Sequence, residues 1–261
     1  MTAHEFANGM VLLTTDRVAA LRINRPEKRN AMSQDMWSAV IDACARVAKY
    51  REVRVLIVSG VGVDFCAGAD ISEFDRAYAS RESADRFNGI YRQAETALRD
   101  VEVPVIAEMR GVAYGGGLGL ALAADFRFAD STTRMAVTAS KLGIAYGPED
   151  MSRLIEKVGL PRAKDMLFSG RTVDAQEALA YGLVDRISTP DGLSSMVMEY
   201  AATLVNRSSA SLKAMKAIAN GLAKPDAALC DALRPRYSEL FLGDDAAEGR
   251  RAFIEKRDPR F

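Results

Sequence analysis

The chain has 261 residues, 49% hydrophobic and 27% charged, which is enough apolar content for a substantial core in one domain or one domain with an appendage. Lysine plus arginine and aspartate plus glutamate balance at 35 each, so neither a basic field for nucleic acid nor an acidic tail is present, and a small-molecule ligand is the default expectation. Three widely spaced cysteines, Cys44, Cys66 and Cys230, suit reduced thiols and supply no metal-ligand cluster, so no metal site is expected.

Met1 to Gly9 is polar and lacks a basic flank followed by an apolar stretch, which argues against a targeting peptide and for a cytoplasmic location. The only histidine, His4, falls in this tail, where disorder is expected. Val18 to Ile23 reads as a strand, Ser33 as the cap of an amphipathic helix running to about Lys49, and Val53 to Val58 as a short buried strand. A helix over roughly Glu82 to Arg99 and a strand over Val103 to Met109 follow, giving a βαβ-like opening. The longest apolar stretch, Val112 to Ala124, is broken by glycines and too short to span a bilayer, so it reads as a core helix and no membrane partner is expected. Short strands near Asp125 to Ala129 and Met135 to Thr138 precede a helix capped at Asp174 and stopped near Gly182. From about Asp191 to Lys256 only helices are expected, punctuated by Pro225 and Pro235. The chain thus divides into an α/β core over 1–190 and a helical region over 191–261.

Two glycine-bearing loops each follow a strand: Phe65-Cys66-Ala67-Gly68-Ala69-Asp70, and Tyr114 to Gly117 with its glycine triplet. Both therefore lie at one edge of a parallel sheet, where α/β proteins usually bind ligands. Glycine permits tight turns and close approach of a ligand to the main chain, and free N–H groups there stabilise an anion or an oxygen about to become one. One donor from each loop would make an oxyanion hole, each worth about 3 kcal/mol to a transition state. The alternative, that each cluster is a tight turn, stands beside this reading. Neither loop fits a nucleotide-phosphate fingerprint.

Four segments carry a family resemblance: Asn24-Arg25-Pro26-Glu27-Lys28-Arg29-Asn30-Ala31-Met32, Phe65 to Ile71, Arg110-Gly111-Val112-Ala113-Tyr114-Gly115-Gly116-Gly117-Leu118, and Ala252 to Arg257. In content and order they resemble the enoyl-CoA hydratase/isomerase (crotonase) superfamily. The resemblance implies a crotonase-like spiral of ββα units, a C-terminal helical trimerisation region, and assembly as a homotrimer or homohexamer. It also implies an acyl-CoA substrate, with coenzyme A as part of that substrate and no separate cofactor. The thioester oxygen would lie between the Ala69 and Gly116 N–H groups, and coenzyme A would contact Lys28, Ala31, Ala67, Tyr237 and Lys256. A helix-packing Tyr237 and a solvated Lys256 are the alternatives.

Hydratases of this family use two glutamates to handle water and its proton, and the matching positions here are Gly119 and Ala139, neither of which can accept a proton. Standard hydration is therefore not expected. Methylmalonyl-CoA decarboxylases of the family carry a tyrosine aligned with Tyr146, although their other catalytic positions fall on Ala69 and Gly119. Candidate replacement acids or bases are Glu149 and Asp150, Tyr146, and Glu108, which interrupts an apolar strand with Arg110 as a possible ion-pair partner. Pro148-Glu149-Asp150 also fits the first turn of a helix. Arg92 is a candidate contact for an acyl carboxylate, Tyr91 reads as core, and Cys66 as an inert buried thiol. Isomerisation, decarboxylation and altered hydration all need the same enolate. A non-catalytic acyl-CoA-binding protein and a nucleotide-binding α/β protein are the readings from other classes.

Overall fold

Val11–Thr15 and Val18–Ile23 alternate buried with less buried residues, the period of strands with one face in a core. In the computed structural model of the chain they are β2 and β3, and Thr2–Phe6 is β1, the edge of a seven-stranded sheet. The structure describes residues 2–223, 228, 231, 234, 235 and 239–260. His4, expected in a disordered tail, instead lies in β1 opposite Leu13, with Nε2 2.8 Å from the Tyr50 hydroxyl. Main-chain pairing with β2 orders a segment whose polar composition hides it.

The Ser33 hydroxyl accepts the Met36 N–H at 3.3 Å and starts α1 (Gln34–Val47), which leads to β4 (Val55–Gly60), parallel to β3. A short helix, α2 (Phe74–Ala77), and a long one, α3 (Arg81–Arg99), lead to β5 (Val105–Met109), parallel to β4. After β6 (Val112–Tyr114) and α4 (Gly116–Leu122), β7 (Phe126–Asp130) rejoins the large sheet beside β5. Next come β8 (Arg134–Ala136), α5 (Pro148–Val158), α6 (Leu160–Ser169) and β9 (Val173–Asp174). The Asp174 side chain caps α7 (Ala175–Tyr181) and Gly182 ends it in the left-handed region, as its sequence predicts. The last strand, β10 (Arg186–Ser188), pairs with β7, and the strand order of the large sheet is β1-β2-β3-β4-β5-β7-β10. The remaining helices are α8 (Leu193–Val205), α9 (Ser209–Leu222) and α10 (Asp244–Ile254).

Both faces of the parallel strands are buried. Leu56 and Val58 point to the side that holds α1 and α3, with Trp37, Val40 and Leu98. Their neighbours Val55 and Ile57 point to the opposite side, where Leu193, Val197, Ala201 and Leu204 of α8 cover them. The first helix beyond residue 190 is thus a layer of the core. Among the described residues no helix is long and apolar enough to cross a membrane.

A second, three-stranded sheet, β6-β8-β9, lies beside this sandwich. Two single-residue parallel bridges extend it: Cys66 pairs with Ala113, and Ala69 with Met32. The first bridge locks the first glycine loop against the strand that leads into the second, and the other ties it to the segment ending at Met32.

Candidate active site

The segment from Asn24 to Met32 is a clamp. Arg29 and Asn30 both adopt positive φ, and buried Asn30 donates through Nδ2 to the carbonyls of Val61 (3.0 Å) and Asp64 (2.7 Å). Arg25 reaches Asp70 at 2.7 Å, and Lys28 reaches it at 3.5 Å. Burial alone would raise the Asp70 pKa, but hydrogen bonds from Ser72 and Arg25 outweigh it and hold the carboxyl down at about 2. Asp70 is therefore a fixed anion immediately after Ala69.

That fixing sets the first amide. Met32 N–H donates to the Gly68 carbonyl (2.8 Å), and Asp70 N–H donates to the Met32 carbonyl (2.9 Å). Alternation along the strand turns the intervening Ala69 N–H to the other side. The second amide comes from Gly116, the first residue of α4. Among the described residues neither N–H donates to a protein acceptor, and both residues line one cavity. Glycine is required for the loops to meet. Gly68 has φ +98° and a Cβ there would lie 2.7 Å from the Tyr114 carbonyl oxygen, while a Cβ on Gly117 would lie 2.1 Å from that of Cys66. Cys66 itself is fully buried, which pushes its thiol up to about 12, so it is inert as expected.

The cavity holds about 100 Å³ and is walled by Ile71, Phe74, Phe87, Leu142, Ile144 and Phe241 on its apolar side. Its polar side is made by Asn88, Tyr91, Thr138, Tyr146 and Asp150. Ala67 and Ala139 also line it. The Tyr146 hydroxyl donates to the Gly115 carbonyl at 3.0 Å, holding the turn that precedes Gly116. Tyr91 packs edge-on against Trp37 and donates to Asp150 Oδ2 at 3.2 Å. Burial, then the neighbouring carboxylates, raise both tyrosines well above the ordinary phenol value, so both are neutral donors.

Behind Tyr91 lies a buried ionic cluster. Arg153 Nη2 donates to Asp150 Oδ1 at 2.7 Å and also to Glu95 Oε2. Asp150 and Glu95 are 2% and 0% exposed, so two carboxyl groups share one guanidinium away from water. Burial first, and the Asp150 charge second, push Glu95 well above the ordinary carboxylate range despite Arg153. Glu95 is the neutral acid of the pair. Its Oε1 has no hydrogen-bond partner among the described residues, and a Cβ on Gly119 would lie 2.0 Å from it. The carboxyl group of Glu95 on α3 thus occupies the space where a side chain at 119 would begin.

The sequence-derived candidates separate clearly. Ala69, Gly116, Ala67, Tyr146 and Asp150 come together around the cavity. Glu108 does not: its Oε1 accepts from Arg110 (3.2 Å) and Ser194 (2.5 Å), in a separate crevice with Arg22 and Ser59. Its β5 register points it to the face that α8 approaches, which corrects its candidacy as an acid or base. Glu149 turns away from the main cavity to Arg234 at 2.7 Å; burial would raise its pKa, but the Arg234 hydrogen bond and charge lower it on balance. It is a charged structural partner in this arrangement. Arg92 lines only the small crevice that holds Glu149 and Arg234. Lys28 is tethered to Asp70, the Ala31 carbonyl accepts from Arg25 at 3.2 Å, and Lys256 is exposed beyond α10. Tyr237 lies outside the described residues.

Tyr91, taken as core on sequence, and Glu95 complete the site. Asn88, Tyr91 and Glu95 recur at spacings of three and four on α3, one helical face, and that polar run beside the apolar Ala84, Phe87, Ala94 and Leu98 was the available signal.

Comparison with known proteins fits this geometry. The family model for enoyl-CoA hydratase/isomerase matches residues 14–261. The crotonyl-CoA hydratase of Syntrophomonas wolfei is 32% identical over 254 residues, 97% of each chain. The crystal structure of an enoyl-CoA hydratase from Mycobacterium avium subsp. paratuberculosis superposes with a TM-score of 0.84 at 26% identity, covering 97% of this chain and 98% of that one. A methylmalonyl-CoA decarboxylase structure reaches a TM-score of 0.86 at 23% identity, a likeness of fold alone, over 97% of this chain and 98% of that one. A match over nearly the whole length, on a chain whose two glycine loops converge as described, establishes that this protein belongs to the enoyl-CoA hydratase/isomerase family.

Proposed function

We propose that the protein converts an acyl-CoA thioester through an enolate held by the Ala69 and Gly116 N–H groups, with Asp150 moving the proton. The observation that carries this reading is that both unengaged amides and the Asp150 carboxylate line the same apolar cavity. As a Cα–H bond breaks, its electron pair moves to the thioester oxygen, and two fixed N–H donors stabilise that growing charge without reorganising. Asp150 takes the proton, with the Tyr91 hydroxyl holding its Oδ2 and Arg153 its Oδ1 in place. Among the described lining residues Asp150 is the single carboxylate. One group that removes a proton at one carbon and returns it at another suffices for moving a double bond. Activating water and separately protonating carbon calls for two groups. The reading therefore favours 3-enoyl to 2-enoyl isomerisation over hydration.

The assembly and coenzyme A contacts belong to the same proposal. Lys28, Ala31, Ala67, Tyr237 and Lys256 are the proposed coenzyme A contacts, and a homotrimer or homohexamer is the proposed assembly, supported by the exposed Met215, Ile218 and Leu222 of α9. The second reading, a non-catalytic acyl-CoA-binding protein, draws on Gly119 and Ala139, which offer no carboxylate.

The test is exchange of the Cα protons of butanoyl-CoA in D2O, followed by NMR, together with turnover of 3-enoyl-CoA. Exchange with 3-enoyl turnover is expected, and Asp150→Asn should lower both by about 10²- to 10⁴-fold while butanoyl-CoA still binds. Binding without exchange would favour the non-catalytic reading. Loss of neither rate in Asp150→Asn would remove Asp150 from the mechanism.

A further inference from the structure

In the wall of the acyl cavity one polar group is left over. Asn88 is 7% exposed, its Oδ1 accepts the Tyr78 hydroxyl at 3.1 Å, and its Nδ2 is buried without a hydrogen-bond partner among the described residues. The Tyr78 bond fixes the orientation of the amide, since the oxygen is engaged and the NH2 group is the open end. A carboxamide donor buried unpaired is costly, and it persists in native structures where a ligand completes it. Nothing in the proton transfer uses this group, because Asn88 precedes Tyr91 by nearly one turn of α3, toward the aromatic cluster of Phe74, Tyr78, Phe87 and Phe241.

Resting on the acyl-CoA reading above, we propose that Asn88 is a specificity residue that selects acyl groups bearing a neutral oxygen acceptor, a ketone or hydroxyl, beyond the thioester carbonyl. Two further features restrict the class. Among the described residues lining the cavity there is no lysine, arginine or histidine, and Asp150 faces the same space, so a carboxylate on the acyl group finds repulsion and no counter-charge. The cavity is small, about 100 Å³, so the acyl group is short. A site built to donate a hydrogen bond discriminates strongly against the analogue that lacks the acceptor, because the buried donor is then left unpaired.

The experiment compares dissociation constants of unreactive saturated thioesters by calorimetry: pentanoyl-CoA against 4-oxopentanoyl-CoA, and hexanoyl-CoA against 5-oxohexanoyl-CoA, with succinyl-CoA as the charged arm. The wild-type protein is expected to bind the oxo member of at least one pair about ten-fold more tightly, and succinyl-CoA more weakly than either neutral class. Asn88→Asp keeps an acceptor for Tyr78 and removes the donor, and Asn88→Leu removes both; each should erase the oxo preference while leaving affinity for the plain acyl thioester within a few-fold. Equal affinity within both wild-type pairs overturns the proposal without touching the enolate reading, and so does an oxo preference that survives in the variants. Failure to bind any of these thioesters overturns both together. The wild-type comparison decides even if a variant does not fold.

Discussion

Two carboxyl groups that each share an arginine with a second acid end in different circumstances, and the contrast shows what full burial does to an acid. Glu108, on β5, accepts from Arg110 and Ser194 in a partly exposed crevice, and Arg110 also reaches Asp130 at 3.6 Å. Glu95, on α3, shares Arg153 with Asp150, keeps one oxygen unpartnered and is wholly buried. Around Arg153, away from water, burial and the neighbouring Asp150 push Glu95 toward its protonated form. The sequence alone marks Glu108 more conspicuously; the full burial of Glu95 reverses the ranking.

The contrast is broken most severely at Arg153. Arg153→Met leaves two buried carboxyl groups without their cation, and unfolding titrations at pH 7 should show a loss of about 3–5 kcal/mol. Next in size is Gly119→Ala, whose Cβ would meet Glu95 Oε1 at 2.0 Å and the Tyr91 hydroxyl at 2.6 Å. It should cost about 1–3 kcal/mol in the wild-type background and clearly less beside Glu95→Ala; equal costs in both backgrounds would mean that Glu95 does not fill that space.

Glu95→Gln tests the proton itself. A carboxyl whose folded pKa exceeds its unfolded value, 4.5 here, binds more protons in the folded state. Its contribution is fully present below pH 4.5 and is lost as pH rises through the folded value. Glutamine mimics the neutral form, so the variant should lose less stability than wild type across that rise, measured as urea midpoints against pH; parallel curves would refute a neutral Glu95. Smallest is Glu108→Gln, expected to change stability by about 1 kcal/mol or less and to leave 3-enoyl turnover unaltered.

The parts of the site written in backbone requirements were legible. Gly68 and Gly117 are needed for one loop to lie on another, and their spacing after two strands shows in the chain itself. Asp174 and Gly182 bound a helix by local hydrogen bonds and a left-handed turn, which are also local signals. The carboxyl in the space beside Gly119 was not legible, since it arrives from a helix 24 positions earlier and only packing of α3 on α4 brings it there. Tyr91 does pack on the core, edge-on against Trp37, as its sequence suggests; what was not legible is that its hydroxyl reaches Asp150 on α5. The polar β1 and the two- and three-residue strands β9 and β10 owe their form to their pairing partners and carry too few residues for a period to show.

Asp70 gives the enzyme half of a division of labour in pH. Held at about 2 by Ser72 and Arg25 against its burial, it keeps its ties to Arg25 and Lys28 throughout mild acid, and those ties slacken only as pH falls through that value. The loop that presents the Ala69 N–H is thereby insulated from ordinary acidity. Under the proposed mechanism, a titration of turnover between pH 5 and 9 would report on the proton-moving side of the cavity, with the proposed anion-holding side constant throughout.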